Sequence, residues 1–220
     1  MKVILTGSTG FIGQEVLSQC LANPSISSII VLSRRALPLS HPKIHHVHRM
    51  QESDFLSYST PELTAAIQGA DACIWSLGTV PSRVGDSQIN RRVSVDFTAA
   101  AARAFQQQQG TSRRFRFVYV SGGLAERDQS RPLWFSAAFR RIRGDAENVL
   151  ISAARENPDT FEEYIMRPGL VVGKDGTVID MIRGLWPSVR VDILAKAMVE
   201  TAVNGNQKRF FENAEIQVTG

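Results

Sequence analysis

The eight residues TGSTGFIG, Thr6 to Gly13, constrain this chain more than any other stretch. They follow a short apolar run, KVILT (2–6). They lead into a segment where Ile12, Val16 and Cys20 recur at i, i+4 and i+8, one face of a helix. A strand that turns through glycines directly into a helix opens a βαβ unit. Gly7 permits the tight turn out of the strand. Gly10 lets the backbone come close to a pyrophosphate, and Gly13 lets the helix pack on the sheet. The start of the helix adds unpaired N–H groups and the positive end of its dipole, which together attract phosphate.

The rest of the chain continues the alternation. IIVLS (29–33), residues 44–48, DACIWSL (71–77), FRFVYVS (115–121) and EEYIMRPG (162–169) read as strands, and EIQVT (215–219) as a strand closing the sheet. Helices are expected over 61–69, with Thr60 as N-cap and Pro61 at its first position, and over about 86–109, ending at Gly110. Further helices are expected over 134–150 and 192–203. Strands separated by helices give a parallel sheet, and right-handed crossovers then wind it on both faces. The expected fold is α/β, a doubly wound Rossmann sheet. One domain should span residues 1–220, with a small C-terminal segment on the substrate side, roughly 172–190.

The end of the second strand bears on the choice of dinucleotide. A carboxylate about 20 positions after the glycine loop binds the ribose 2′-hydroxyl of NAD, whereas an arginine accommodates the 2′-phosphate of NADP. Here the strand ends in Ser33-Arg34-Arg35, and no Asp or Glu occurs between Glu15 and Glu52. NADP(H) is therefore the expected cofactor.

Composition narrows the partners. The net charge of +4 comes with arginine clusters at 113–116 and 140–143, but no nucleic-acid reading element accompanies them, so no nucleic-acid partner is expected. No apolar run is long enough to span a bilayer. MKVILTG enters the first strand without a secretory pattern, so the expected address is cytoplasmic. Cys20 and Cys73 lie in apolar segments and read as buried free thiols. The four histidines, His41, His45, His46 and His48, enter a strand whose side chains diverge, and no metal site is expected. Trp134, Phe135 and Phe139 suit a pocket or the core equally. Asp96 reads as a hydrogen-bond partner for neighbouring backbone.

TGSTGFIG, LSRR (32–35), WSLGT (75–79), VD (95–96), VYVSGG (118–123), RGDAEN (143–148) and MRPGLVVG (166–173) occur in that order. Together they resemble the atypical short-chain dehydrogenase/reductases, nearest to the TIP30/FMP52-like group. The resemblance implies dinucleotide contacts from Thr6, Gly7, Ser8, Thr9, Gly10, Phe11, Ile12 and Gly13. It implies others from Ser33, Arg34 and Arg35, from Leu77, Gly78 and Thr79, and from Pro168, Gly169 and Leu170. It also implies catalytic roles for Ser121 and Arg143, the second standing where the family has a lysine. Four residues earlier, at the family's tyrosine, stands Phe139. None of Tyr58, Tyr119 and Tyr164 has a lysine four positions on.

Phe139 has no proton to donate, and an arginine is a poor proton donor near neutrality. Three classes stay open. One is an NADPH-dependent reductase of a small carbonyl or enone. In it Ser121 and Arg143 polarise the oxygen, and water or the substrate supplies the proton. Another is a non-redox isomerase, dehydratase or cyclase on the same pocket. The last is a regulatory NADP(H)-binding protein without turnover. The reductase is the reading adopted, because the hydride comes from the cofactor itself. The expected partner is a small-molecule substrate, with a homodimer left open.

Overall fold

The structure is a computed structural model that describes residues 1–37, 39–78, 87–107, 114–174 and 187–220; of residues 46–49 only the backbone is described. Seven parallel strands form the central sheet in the order β3-β2-β1-β4-β5-β6-β9. They are β1 (Lys2–Thr6), β2 (Ser28–Ser33), β3 (Ile44–Arg49), β4 (Ala72–Trp75), β5 (Phe115–Val120), β6 (Phe161–Arg167) and β9 (Phe210–Glu212). Two short strands, β7 (Leu170–Val172) and β8 (Ser188–Arg190), pair in parallel beside it. The helices are α1 (Phe11–Ala22), α2 (Asp54–Ser57), α3 (Pro61–Ile67), α4 (Ser87–Arg91), α5 (Phe97–Gln107), α6 (Ala137–Glu156), α7 (Val191–Asn204) and α8 (Asn213–Thr219). A π turn, Arg92–Asp96, joins α4 to α5.

Strand alternation sorts side chains onto two faces. Ile4, Ile30, Cys73, Trp75, Phe117 and Tyr119 pack with residues of α2, α3, α5 and α6. Val3, Leu5, Val31, Ile74, Val118 and Met166 pack with α1, α7 and α8. Both faces are buried, as a parallel sheet with helical crossovers requires. This is the doubly wound α/β fold read from the alternation. Strand order reverses between β1 and β4, and ligands of such sheets bind beyond the carboxyl ends of the strands at that switch. Both cysteines are buried free thiols, and burial pushes the Cys20 thiol up to about 12.

Some elements differ from expectation. EIQVT is not a strand but most of α8. Glu212 and Glu215 form a reciprocal capping box that starts this helix, and β9 takes the sheet edge instead. A short apolar run is ambiguous by periodicity, and the cap decided it. The helix expected from Trp134 begins at Ala137, because Ser136 adopts a left-handed conformation at φ 47°. Trp134 is 99% exposed and Phe135 55%, so neither is core. Asp96 is exposed, and its side chain makes no hydrogen bond among the described residues. Thr60 does cap α3, accepting from Leu63 N at 3.3 Å. Gly110, Arg113 and residues 175–186 of the C-terminal segment lie outside the described residues.

Candidate functional site

The loop between β1 and α1 is built by contacts that exclude side chains. Gly7 has φ +69°, and a Cβ on it would lie 2.6 Å from Ser76 O, just past β4. Ser76 in turn ties β4 to β1: its hydroxyl donates to Thr6 O at 2.6 Å, and its N–H donates to Thr6 Oγ1 at 3.3 Å. A Cβ on Gly13 would lie 2.0 Å from Gly7 O, so α1 sits directly on the turn. Gly10 differs from both. It caps α1 with no side-chain hydrogen bond, and its Cβ direction meets only Gly7 O, at 3.2 Å. The first N–H groups of α1 have no intrahelical acceptor and open on this side. Ser8 is buried, with its hydroxyl unpartnered among the described residues. Thr9 is half-buried, Phe11 exposed, and Ile12 packs on the core beneath α1.

The other expected cofactor residues stand at the ends of neighbouring strands. Ser33 closes β2, buried, and its Oγ accepts from Arg35 N at 3.2 Å. Arg34 and Arg35 are exposed and have no acidic partner among the described residues. Leu77 is half-buried past β4. A Cβ on the next residue, Gly78, would lie 2.7 Å from Arg143 Nη2, so the guanidinium of α6 reaches the end of β4. Thr79 lies outside the described residues. After β6, Pro168 O accepts from Gly123 N at 2.7 Å, and Gly169 N donates to Asn213 Oδ1 at 2.9 Å. Leu170 is 39% exposed.

Ser121 and Arg143 come together where β5 meets α6. Arg143 Nη1 lies 3.4 Å from both Tyr119 Oη and Val120 O, and its guanidinium carbon lies 5.4 Å from the centre of the Phe139 ring. Burial pushes the Tyr119 phenol up, and the Arg143 charge pulls it part of the way back. Ser121 is 6% exposed. Its hydroxyl donates to Glu147 Oε1 at 2.5 Å. The sequence reading missed Glu147, although the signal was present. It stands four residues after Arg143, on the same helix face, inside RGDAEN.

Glu147 is fully buried and joins three segments. Arg167, at the end of β6, donates through Nε to Oε1 at 2.8 Å and through Nη2 to Oε2. Arg127 Nε lies 3.4 Å from Oε2. The Glu147 carboxylate holds the Arg167 guanidinium above its usual value, with Glu212 adding to the effect and burial opposing it. Two further arginines of α6 fix the connection from β5. Arg140 Nε donates to Leu124 O at 2.9 Å, with its guanidinium carbon 5.0 Å from the Phe135 ring centre, and Arg141 Nη2 donates to Arg131 O at 3.0 Å. A groove of about 410 Å³ between α5 and α6, lined by Val95, Arg103, Asn148 and Glu156, lies on another side of α6 and holds none of the expected site residues.

No family model matches the chain. It is 28% identical over 206 residues to the hybrid PKS-NRPS synthetase poxE of Penicillium oxalicum, covering 86% of this chain. It is 34% identical over 121 residues to the leucinostatins biosynthesis cluster protein T of Purpureocillium lilacinum, covering 55% of this chain. It spans only 5% of the synthetase and 42% of the cluster protein. To protein fmp-52, mitochondrial, of Neurospora crassa it is 24% identical over 216 residues, 90% of this chain and 84% of that protein. Among solved structures it is similar to a short chain dehydrogenase from Burkholderia cenocepacia in complex with NADP. The TM-score is 0.72 at 16% identity, with 99% of this chain and 90% of that one covered. It is also similar to the dTDP-glucose 4,6-dehydratase DesIV from Streptomyces venezuelae with NAD bound. There the TM-score is 0.72 at 17% identity, with 100% and 79% covered. In sequence the chain is thus similar to an FMP52 protein over most of both lengths, and in fold it is similar to structures that hold NAD or NADP.

The same comparison corrects one expectation. Relatives in Neurospora, two Aspergillus species and Candida albicans are named as mitochondrial, against the cytoplasmic address. That address rested on the missing secretory pattern, which bears on export and not on where inside the cell a chain goes. No helix among the described residues is long and apolar enough to cross a membrane.

Proposed function

We propose that this chain is an NADP(H)-binding oxidoreductase that reduces a small carbonyl or enone compound, folded as one domain over residues 1–220. The observation that carries the reading is the cradle at Gly10. The backbone is bare there, the first N–H groups of α1 are open, and the switch between β1 and β4 lies directly behind. Those features fit a pyrophosphate. Arg34 and Arg35, exposed and without an acidic partner among the described residues, fit a 2′-phosphate. Ser33 and the turn residues Leu77 and Pro168 to Leu170 would border the nucleotide. When bound, the dinucleotide supplies the hydride.

The chain's own residues do the rest. Arg143 offers fixed N–H donors where negative charge develops on a carbonyl oxygen. It holds its own proton, so it stabilises the oxygen without protonating it. Phe139 carries no hydroxyl, and the Tyr119 phenol is buried and shifted up. The proton therefore comes from water or from the substrate itself.

The test is a fluorescence or calorimetric titration with NADPH and NADH. Each charge-assisted contact to phosphate is worth about 1.5–3 kcal/mol, and exposure puts these two at the lower end. Wild type should bind NADPH roughly tenfold or more tighter than NADH. Arg34→Ala/Arg35→Ala should lose that margin while NADH binding stays unchanged. Equal affinities in wild type refute the NADP(H) assignment.

A further inference from the structure

Ser121 has one hydroxyl proton, and Glu147 takes it. The hydrogen bond is 2.5 Å long, the carboxylate is fully buried, and guanidiniums approach it from Arg167 and Arg127. An ionised carboxylate is acceptor-only, so the proton between the two oxygens is the serine's. Ser121 Oγ then has only lone pairs left. Arg143, whose Nη1 lies 3.4 Å from the carbonyl of the preceding residue Val120, has only donors. The two residues implied to polarise a single oxygen are thus opposite in kind.

We propose that Ser121 meets its ligand as a hydrogen-bond acceptor, held in that state by Glu147. The cleft then selects a hydroxy-carbonyl compound, with its O–H (or an N–H in its place) toward Ser121 and its carbonyl oxygen toward Arg143. Glu147 is a positioning residue in this arrangement, acting through the serine. The inference rests on the cleft of the preceding section being the ligand site, but not on which dinucleotide it binds.

A ketone gives Ser121 nothing to accept, whereas an alcohol gives it a proton and still offers its oxygen to Arg143. The probes are cyclohexanol and cyclohexanone, two molecules on one ring, with affinities measured by saturation-transfer NMR on protein with and without NADPH. Wild type should favour the alcohol by roughly fivefold, the worth of one net hydrogen bond. Ser121→Ala should abolish the preference. It leaves the Glu147–Arg167 pair in place, so the fold should survive. In Glu147→Gln, the amide oxygen belongs opposite Arg167 Nη2 and Arg127, two guanidinium contacts against the one that Arg167 Nε makes on the other side and then loses. That puts the NH₂ toward Ser121 Oγ, makes the serine accept from it, and turns the serine proton to the cleft. The preference should then shrink or invert toward the ketone, which loss of packing alone would not do. If that variant fails to fold, the Ser121→Ala comparison decides.

A wild-type protein that binds the ketone as well as the alcohol overturns the proposal. So does an alcohol preference that survives in Ser121→Ala, or the failure of the alcohol to bind. Loss of the NADPH titration alone would overturn the cofactor reading and leave this result standing.

Discussion

One methyl group, placed at two positions of the glycine loop, separates packing from ligand approach. On Gly13 it would lie 2.0 Å from Gly7 O and 2.5 Å from Gly7 C, both backbone atoms. Ordinary contact needs about 3.5 Å, so α1 or the turn must shift by roughly 1.5 Å. α1 has nowhere to retreat, because Val16 and Cys20 are fully buried and the helix packs on α7. Overpacking of this kind costs about 1–3 kcal/mol, partly offset by alanine's better helix propensity, worth under about 1 kcal/mol. A net loss of about 2 kcal/mol lowers Tm by roughly 4–8 °C in a chain of this size. On Gly10 the methyl meets one atom at 3.2 Å, and φ is an unstrained −91°. Gly10→Ala should therefore melt within roughly 3 °C of wild type. The order reverses for ligand. NADPH at about a hundred times its Kd adds about 2.7 kcal/mol of stability, which Gly13→Ala should retain and Gly10→Ala should lose. Thermal unfolding followed by circular dichroism, with and without NADPH, reads both effects. A Gly13→Ala protein as stable as wild type refutes the packing argument. A Gly10→Ala protein that NADPH still stabilises refutes the phosphate cradle.

Other outcomes follow from the same contacts. Arg143→Ala should lower turnover of any carbonyl substrate found by roughly a hundredfold, with Arg143→Lys recovering part; full activity in Arg143→Ala removes α6 from the mechanism. Burial opposes ionisation of Glu162, but hydrogen bonds from Arg209, Tyr164 and Arg114 outweigh it and hold the carboxyl below its ordinary 4.5. A depressed carboxyl stabilises the fold above its unfolded value, and that contribution is lost as pH falls through the folded value. Glu162→Gln should therefore cost stability at neutral pH, and its Tm should converge on wild type as pH drops below about 4; a pH-independent difference counts against this pairing. Arg140→Ala removes the bond to Leu124 O and the contact with Phe135, so limited chymotrypsin cleavage near Trp134 and Phe135 should quicken, and unchanged cleavage would sink that role.

The doubly wound sheet was legible because its signals are local. Buried parallel strands are continuous apolar runs, and glycines mark the turn that leaves β1. What the sequence hid depends on tertiary partners. EIQVT has strand-like alternation, and only the reciprocal bonds of Glu212 and Glu215 make it helical. Ser136 carries no signal for its left-handed φ, so α6 was expected to begin three residues early. Glu147 was quoted inside a motif yet given no role. Its partners Arg127, Arg167 and Ser121 are 20 to 26 residues away, and no periodicity reveals a carboxylate buried between them.

α6 shows how one helix can serve both the fold and the cleft. Arg140 and Arg141 point to the connection from β5 and fasten it. Gly144 lets that connection lie against the helix, since a Cβ there would fall 1.7 Å from Glu126 O. Arg143 and Glu147, one turn apart, face the strand ends. Phe139 and Arg143, at the positions where the short-chain dehydrogenase/reductases that the sequence resembles carry tyrosine and lysine, lie against each other as a pair. A guanidinium is flat and weakly hydrated, and it rests on an aromatic face in a way an ammonium does less well. Phe139 provides that face. On the proposed reading, the pair offers a fixed positive surface in place of a proton relay. With the Ser121 hydroxyl proton directed to Glu147 and the Tyr119 phenol buried and shifted up, the proposed reduction draws its proton from the substrate or the solvent, and on that reading the polarity of Ser121 decides what the cleft holds.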